Sequence, residues 1–307
     1  MPDGFEIVRL VDRRQSQGAT AAGMGHLVVS RAVDLAISKA RECGVGWVST
    51  RYSNHAGPAS LYARKPLEHQ MLGLYFAVGN ANHLPPWGGM EMLLSTNPIA
   101  AAFPAGNEPP VVLDMATTVA AYGKVKVKAK RGEMMPEGWM IDRQGKPLTD
   151  PKRADEGFLL PIGEHKGYGL ALMVGLLAGT LNGAAMGKDV IDFNADFKTI
   201  TNTGQSILVI DLSAFGDPED FKSRVDTLSR DIRASAQALF SFLTYGVGMW
   251  LGNTPVPRRN RPSPRKAGKA TDRTWSSPGP RTDCTRQHRG RAARRSSRST
   301  RSRSRTR

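Results

Sequence analysis

Apolar residues at Val29, Ala32, Val33 and Ile37 in HLVVSRAVDLAISKAREC recur at spacings of three and four, which predicts an amphipathic helix. Gly44 follows where a helix C-cap is expected, and Val45–Val48 then reads as a short strand. LGLYFAVGN reads as a second strand ending at Gly79-Asn80, and Asn97-Pro98 marks a turn before a short buried run. Val111–Leu113 reads as a third strand, with Asp114 capping a helix that ends in the basic stretch KVKVKAK. Glu133 to Gly157 reads as a long polar connection carrying Trp139. An apolar helix is expected from GEHKGYGLALMVGLLAG and a strand from SILVIDLSAFG. A last helix, PEDFKSRVDTLSRDIRAS, carries Phe221, Val225, Leu228 and Ile232 on one stripe. Strands alternating with helices predict an α/β fold.

The pattern fails after about Ala236. QALFSFLTYGVGMWLG is an isolated apolar patch, and the remainder of the chain is Arg, Pro, Ser and Gly with almost no aliphatics. Such a composition cannot bury enough surface to offset its ordering entropy, so residues 237–307 are expected to be a disordered basic tail. The expected organisation is an irregular segment over 1–25, a body over 26–236 and this tail.

Charge follows the same division. The 307 residues carry a formal net charge of +16, but 18 of the 43 Lys and Arg lie from Asn253 onward against two acids. The first 252 residues then hold 25 basic and 25 acidic side chains, so the body is neutral. The ending RRSSRSTRSRSRTR has the look of an arginine–serine tail able to bind nucleic acid without sequence preference. A GC-rich gene read in a wrong frame gives the same composition and accounts for it better. Two cysteines are too few for a disulfide framework, and no metal site is expected. Gly167 to Gly187 is uncharged for 21 residues, long enough to span a bilayer. Glycines, Thr180 and Asn182 dilute it, which predicts a buried helix of a water-soluble protein. Without a basic segment and apolar core at the N-terminus, a secretory signal is not expected, and a cytoplasmic setting is.

Three loops carry candidate chemistry. In RYSNHAG, His55 follows a strand end in polar surroundings. It serves either as a proton-transferring group of near-neutral pKa or as a turn residue bonded to backbone. Arg51 and Ser53 beside it are the candidates for substrate contacts. In VVLDMATT, Asp114 is an N-cap, or else the helix start behind it faces a phosphate or ribose. In GEHKGYG, Lys166 sits at a helix start where the dipole disfavours a cation, a conflict that an anionic ligand would remove. Gly23-Met-Gly25, Gly44-Val-Gly46 and Gly167-Tyr-Gly169 all lack the third glycine of the dinucleotide fingerprint, so the residues give no Rossmann reading.

The stretches SNHAGPASLYA, PPWGG, STNPIA, VVLDMATTVAAYGKV, MPEGWMIDRQGKPLTDP and LLPIGEHKGYGLALMVGLLAGTLNGA run in order between about His26 and Ala234. In them the chain resembles the malate/L-lactate dehydrogenase family, which also holds ureidoglycolate, sulfolactate and diketogulonate dehydrogenases and cyclic-imine reductases. The resemblance implies a non-Rossmann NAD(P)-binding fold of the malate/L-lactate dehydrogenase type. It further implies a homodimer that interconverts a small 2-hydroxy acid and its 2-oxo acid with NAD or NADP. It assigns proton transfer to His55. Cofactor contacts fall to Asn80, to Asp114, Met115 and Ala116, and to the loop His165-Lys166-Gly167. The family's S-H-G-x-x-R segment finds no match, nor does its C-terminal closing segment. A chain truncated at the front and replaced at the back is therefore expected, with little turnover by itself. Nucleic-acid binding through the basic tail is the alternative function.

Overall fold

In the computed structural model, residues 5–7, 24–235 and 248–250 are described. The predicted first helix is α1, Gly25–Cys43. Val29, Ala32 and Val33 are fully buried on it, and Ile37 nearly so. Gly44 ends the helix at φ 82°, its N–H donating to the Ala40 carbonyl, a left-handed cap that glycine adopts at little steric cost. A three-residue strand, β1 (Phe5–Ile7), precedes this helix, and β2, Val45–Ser53, comes directly after it. β2 runs five residues further than its apolar start suggests. A short helix α2, Ser60–Arg64, leads to β3, Met71–Ala77. The turn at Asn97 opens β4, Ile99–Phe103, and β5 covers Val111–Met115.

Here the structure corrects one expectation. β5 continues through Asp114, and the next helix, α3, begins only at Tyr122 and runs to Arg131. The Asp114 carboxylate still caps a helix, but an earlier one. It accepts the backbone N–H of Ser60, the first residue of α2, at 2.8 Å. A strand side chain thus satisfies one of the four amides that every helix start leaves unpaired.

The supposed polar connection has structure of its own. Met140–Asp142 (β6) pairs antiparallel with Gly157–Leu159 (β7). Val125, Met135, Met140, Leu148 and Leu159 are buried together, with Trp139 against them. Next come α4, His165–Ala178, and β8, Thr203–Asp211. α4 buries Ala171, Val174, Gly175 and Ala178 but leaves Leu172, Met173 and Leu176 exposed, so only one side of it is core. No helix among the described residues is long and apolar enough to cross a membrane.

The final helix α5, Pro218–Ala234, keeps Phe221 and Val225 of its predicted face half-buried and turns the rest outward. Leu228 and Ile232 are exposed, while Asp226 and Ser229 are buried. The reason lies in the turn at residues 106–108. The amides of Gly106, Asn107 and Glu108 all donate to the Asp226 carboxylate at 2.7–3.1 Å. Arg230 and Arg233 pair with Glu108 beside it. Three successive turn amides share one buried carboxylate, and that cluster of hydrogen bonds outweighs an apolar stripe. Those amides, Asn107 first, hold the Asp226 carboxyl below the usual carboxylate range. A depressed native pKa stabilises the fold above the unfolded pKa, and the contribution fades as pH falls through the native one. Asp226→Asn is therefore expected to lower Tm by roughly a few degrees at neutral pH. The gap from the parent should close in acid, and a gap independent of pH would refute this account.

With Gly248–Trp250 as β9, the main sheet has the order β1-β2-β8-β3-β4-β5-β9. Its two edge strands, β1 and β9, come from segments expected to add no structure. The rest of 1–25 and 237–307, apart from residues 24 and 25, lies outside the described residues. Among the described strands only the β1–β2 pairing is parallel, and every other pairing in the sheet is antiparallel. This is an α/β architecture with one parallel strand pair, β1 and β2 with α1 between them in the chain, in place of the all-parallel sheet of a Rossmann fold. α1 packs its apolar side on β2 and β8 and closes the principal core with Tyr62, Tyr75, Ile207 and Val209. On the other side α4 meets Phe76 and Val78. Glycine permits this approach: a Cβ at Gly204 in β8 would overlap the Ala178 carbonyl of α4.

Candidate active site

The end of β2 builds the site. Opposite β8 the pairing runs regularly to Thr50↔Gln205, then slips by one residue before Ser53↔Thr203. Tyr52 absorbs the extra residue at φ 54°, and its N–H donates to Asn202 Oδ1 at 2.8 Å. Thr201 Oγ1 donates to the Ser53 carbonyl at 3.0 Å. The chain thereby leaves the sheet sharply and presents Asn54-His55 beside it. The His55 backbone N–H donates to Asn54 Oδ1 at 2.7 Å, and the Gly57 N–H donates to His55 Nδ1 at 3.2 Å. With Nδ1 accepting, the neutral ring carries its proton on Nε2. Burial and the nearby charge of His26 lower the His55 pKa below its ordinary 6.5, which makes the ring a base at neutral pH.

His55 lines a cavity of about 360 Å³ and stacks on Phe193 with ring centroids 5.8 Å apart. Asn80 lines the same cavity, its amide donating to Thr203 Oγ1 at 2.6 Å. The opposite wall is a stacked pair, His83 on Tyr122, with centroids 3.9 Å apart and planes 13° from parallel. Burial pushes the His83 pKa down to about 4, so this ring is neutral as well. Burial, with Asp155 next to it, raises the Tyr122 phenol to about 12. Lys126 supplies positive charge, with Nζ donating to Asn194 Oδ1 at 2.6 Å and lying 5.6 Å over the Tyr122 ring. Ala121, Tyr122 and Gly123, the start of α3, line this cavity too, and no side chain caps that helix. Uncapped amides with a lysine in the first turns form an anion-binding end. A second cavity of about 480 Å³ shares His83, Tyr122, Lys126 and Asn194 with the first and adds Asp155 and Asp192.

The other expected site residues lie outside the lining of the His55 cavity. Ser53 is fully buried and its hydroxyl donates to the Asn54 carbonyl at 3.3 Å, so it holds the loop and does not face a substrate. Arg51 packs its guanidinium 5.8 Å from the Tyr52 ring centroid. Asp114 is engaged at α2, with Met115 and Ala116 half-buried after it. His165 and Lys166 stand exposed at the start of α4, His165 edge-on to Trp87 at 6.0 Å. Gly167 is buried where a Cβ would overlap the Ile162 carbonyl. α4, like α3, has no side-chain cap, because Glu164 before it makes no capping bond. Of the lining residues not expected from the sequence, His83 stands three positions after Asn80 and could have been grouped with it. Phe193 and Asn194 lie in a stretch without periodicity and carry no signal. Among the described residues no three His, Cys, Asp or Glu side chains gather as a metal site would need.

Comparison with known proteins identifies the family. A family model described as malate/L-lactate dehydrogenase matches residues 17–241. The L-sulfolactate dehydrogenase of Methanothermobacter thermautotrophicus is 40% identical over 215 residues, 70% of this chain and 62% of that protein. The (2R)-3-sulfolactate dehydrogenase (NADP(+)) of Chromohalobacter salexigens is 36% identical over 196 residues, 64% of this chain and 58% of that protein. Among solved structures, the sulfolactate dehydrogenase from Methanocaldococcus jannaschii superposes with a TM-score of 0.65 at 39% identity, covering 71% of this chain and 62% of that one. This chain thus spans about three fifths of the length of these relatives. Matched over most of its described residues in both sequence and fold, the chain belongs to the malate/L-lactate dehydrogenase family.

Proposed function

We propose that the protein is an oxidoreductase that moves a hydride between NAD or NADP and the C2 carbon of a small 2-hydroxy or 2-oxo acid. The observation that carries this reading is His55, a neutral imidazole with its proton on Nε2, in a cavity with Asn80 and a cationic helix start. In oxidation His55 takes the proton of the substrate hydroxyl, and in reduction it returns a proton to the developing alkoxide. The nicotinamide, when bound, supplies or accepts the hydride. The residues present fit such a cofactor. Two helix starts without side-chain caps, at Tyr122 and at His165, offer free amides to phosphate groups. Lys126 and Lys166 stand at those two ends. The relatives' names supply the substrate class, a 2-hydroxy acid bearing a sulfonate, and in one case NADP(+). A homodimer and a cytoplasmic setting go with this reading. Nothing in the comparisons supports nucleic-acid binding, and the basic ending lies outside the described residues.

The test is titration of the full chain with NADH and NADPH, followed by cofactor fluorescence. Binding of one or both is expected, and binding of neither sinks the proposal. Lys166→Ala should raise the apparent cofactor constant by roughly tenfold, since a charge-assisted hydrogen bond contributes about 1.5–3 kcal/mol. A rise confined to the substrate constant would move Lys166 to the substrate side of the site.

A further inference from the structure

We propose that Gln205 is the positioning residue for His55: its side-chain amide spans the irregular end of β2 and ties the loop carrying the histidine to the body of the sheet. The inference rests on the proton-transfer role given to His55 above, and the geometry beneath it is independent of that role.

Gln205 is 1% exposed, sits on β8 directly opposite Thr50, and lines the His55 cavity. Both ends of its amide are used. Thr50 Oγ1 donates to Gln205 Oε1 at 2.5 Å, and Gln205 Nε2 donates to the Asn54 carbonyl at 3.3 Å. The orientation of the amide is forced. A carbonyl oxygen can only accept, so the nitrogen must face Asn54, and the oxygen then meets the hydroxyl of Thr50. Asn54 is also the residue whose Oδ1 receives the His55 backbone N–H. One amide therefore connects the last regular pair of the β2–β8 ladder to the residue that orients His55, across the point where the ladder slips. The strand side of the connection is anchored in turn. Asn182 Nδ2 donates to the Thr50 carbonyl at 2.5 Å and lies 3.4 Å from that of Gln205. Without the amide, the Asn54 carbonyl and the Thr50 hydroxyl both lose a partner in a buried place. The loop would then be held from the sheet chiefly by the bond from Thr201 to the Ser53 carbonyl.

A residue that acts only through packing would affect stability and leave the histidine alone. Gln205→Met keeps the length of the side chain and removes both hydrogen bonds, so it separates the two roles. In the full chain, the His55 ring resonances followed by NMR across pH should show its pKa moving up toward 6.5, as the ring leaves its stacking place on Phe193. Turnover should fall about 10- to 100-fold, the loss expected when a reacting group is misplaced by about 1 Å. The cofactor constant should change less than about twofold, because the Gln205 amide bonds only Thr50 and Asn54. Should the methionine variant not fold, Gln205→Leu removes the same two hydrogen bonds without adding charge, and should move His55 the same way. A folded variant whose His55 titrates as in the parent overturns the proposal. If His55 titration shifts while the parent shows neither cofactor binding nor turnover, the positioning role stands and the dehydrogenase reading falls.

Discussion

His55→Ala is expected to lower turnover by about 10²–10⁴ relative to the unsubstituted chain, the range that a positioned proton donor contributes. The loss should sit in kcat, since no binding contact of the substrate has been assigned to the ring. The pH profile is the sharper measurement. The His55 pKa is lowered in the fold, so the basic form required for oxidation persists below pH 6.5. kcat/KM for oxidation should be level above that value and fall only at lower pH, as His55 binds a proton. In the alanine variant this acid limb should vanish. Equal turnover and an unchanged limb in the variant would reduce His55 to a turn residue.

Gly204→Ala should cost stability at the upper end of the roughly 1–3 kcal/mol typical of over-packing, or beyond it. The added methyl meets the Ala178 carbonyl and the Ala184 side chain, neither of which can swing aside as the tip of a flexible side chain could. Urea unfolding would show it as a fall in midpoint at an unchanged slope. Because the next residue is Gln205, the same variant should also slow turnover. A midpoint equal to the parent's would mean that α4 does not press on β8 as described.

What the sequence disclosed depended on how locally each feature was determined. α1 was legible because its buried positions repeat within one element and Gly44 ends it. The place of His55 just past a strand end was legible, but from the residues alone a turn role served as well, and the family resemblance supplied its proton-transfer role. Asp114 was expected to cap the helix after it and instead caps one more than fifty residues earlier, a pairing that no window of sequence contains. The α5 stripe misled because amphipathicity says which face is apolar and says nothing of what stands opposite. The three amides at 106–108, which take Asp226 as their acceptor, decided that. The wall of His83, Tyr122 and Lys126 was invisible for the same reason, since its members come from separate segments and meet only when the sheet assembles.

The place of β8 in the sheet governs when that assembly can happen. β2 and β3 are neighbours along the chain, but β8 lies between them, and Thr50 meets Gln205 across 155 residues. During synthesis the two earlier strands must wait as separate halves, each with an open edge. β3 is the greater hazard, for of its seven residues all but Leu74 end buried. Unpaired apolar edges recruit other chains, and pairings this distant close slowly. A nascent chain of this protein therefore stays exposed to aggregation until about residue 211 has cleared the ribosome. The strand that ends the exposure also brings Gln205 to His55, so no sub-length product lacking β8 can be both soluble and competent.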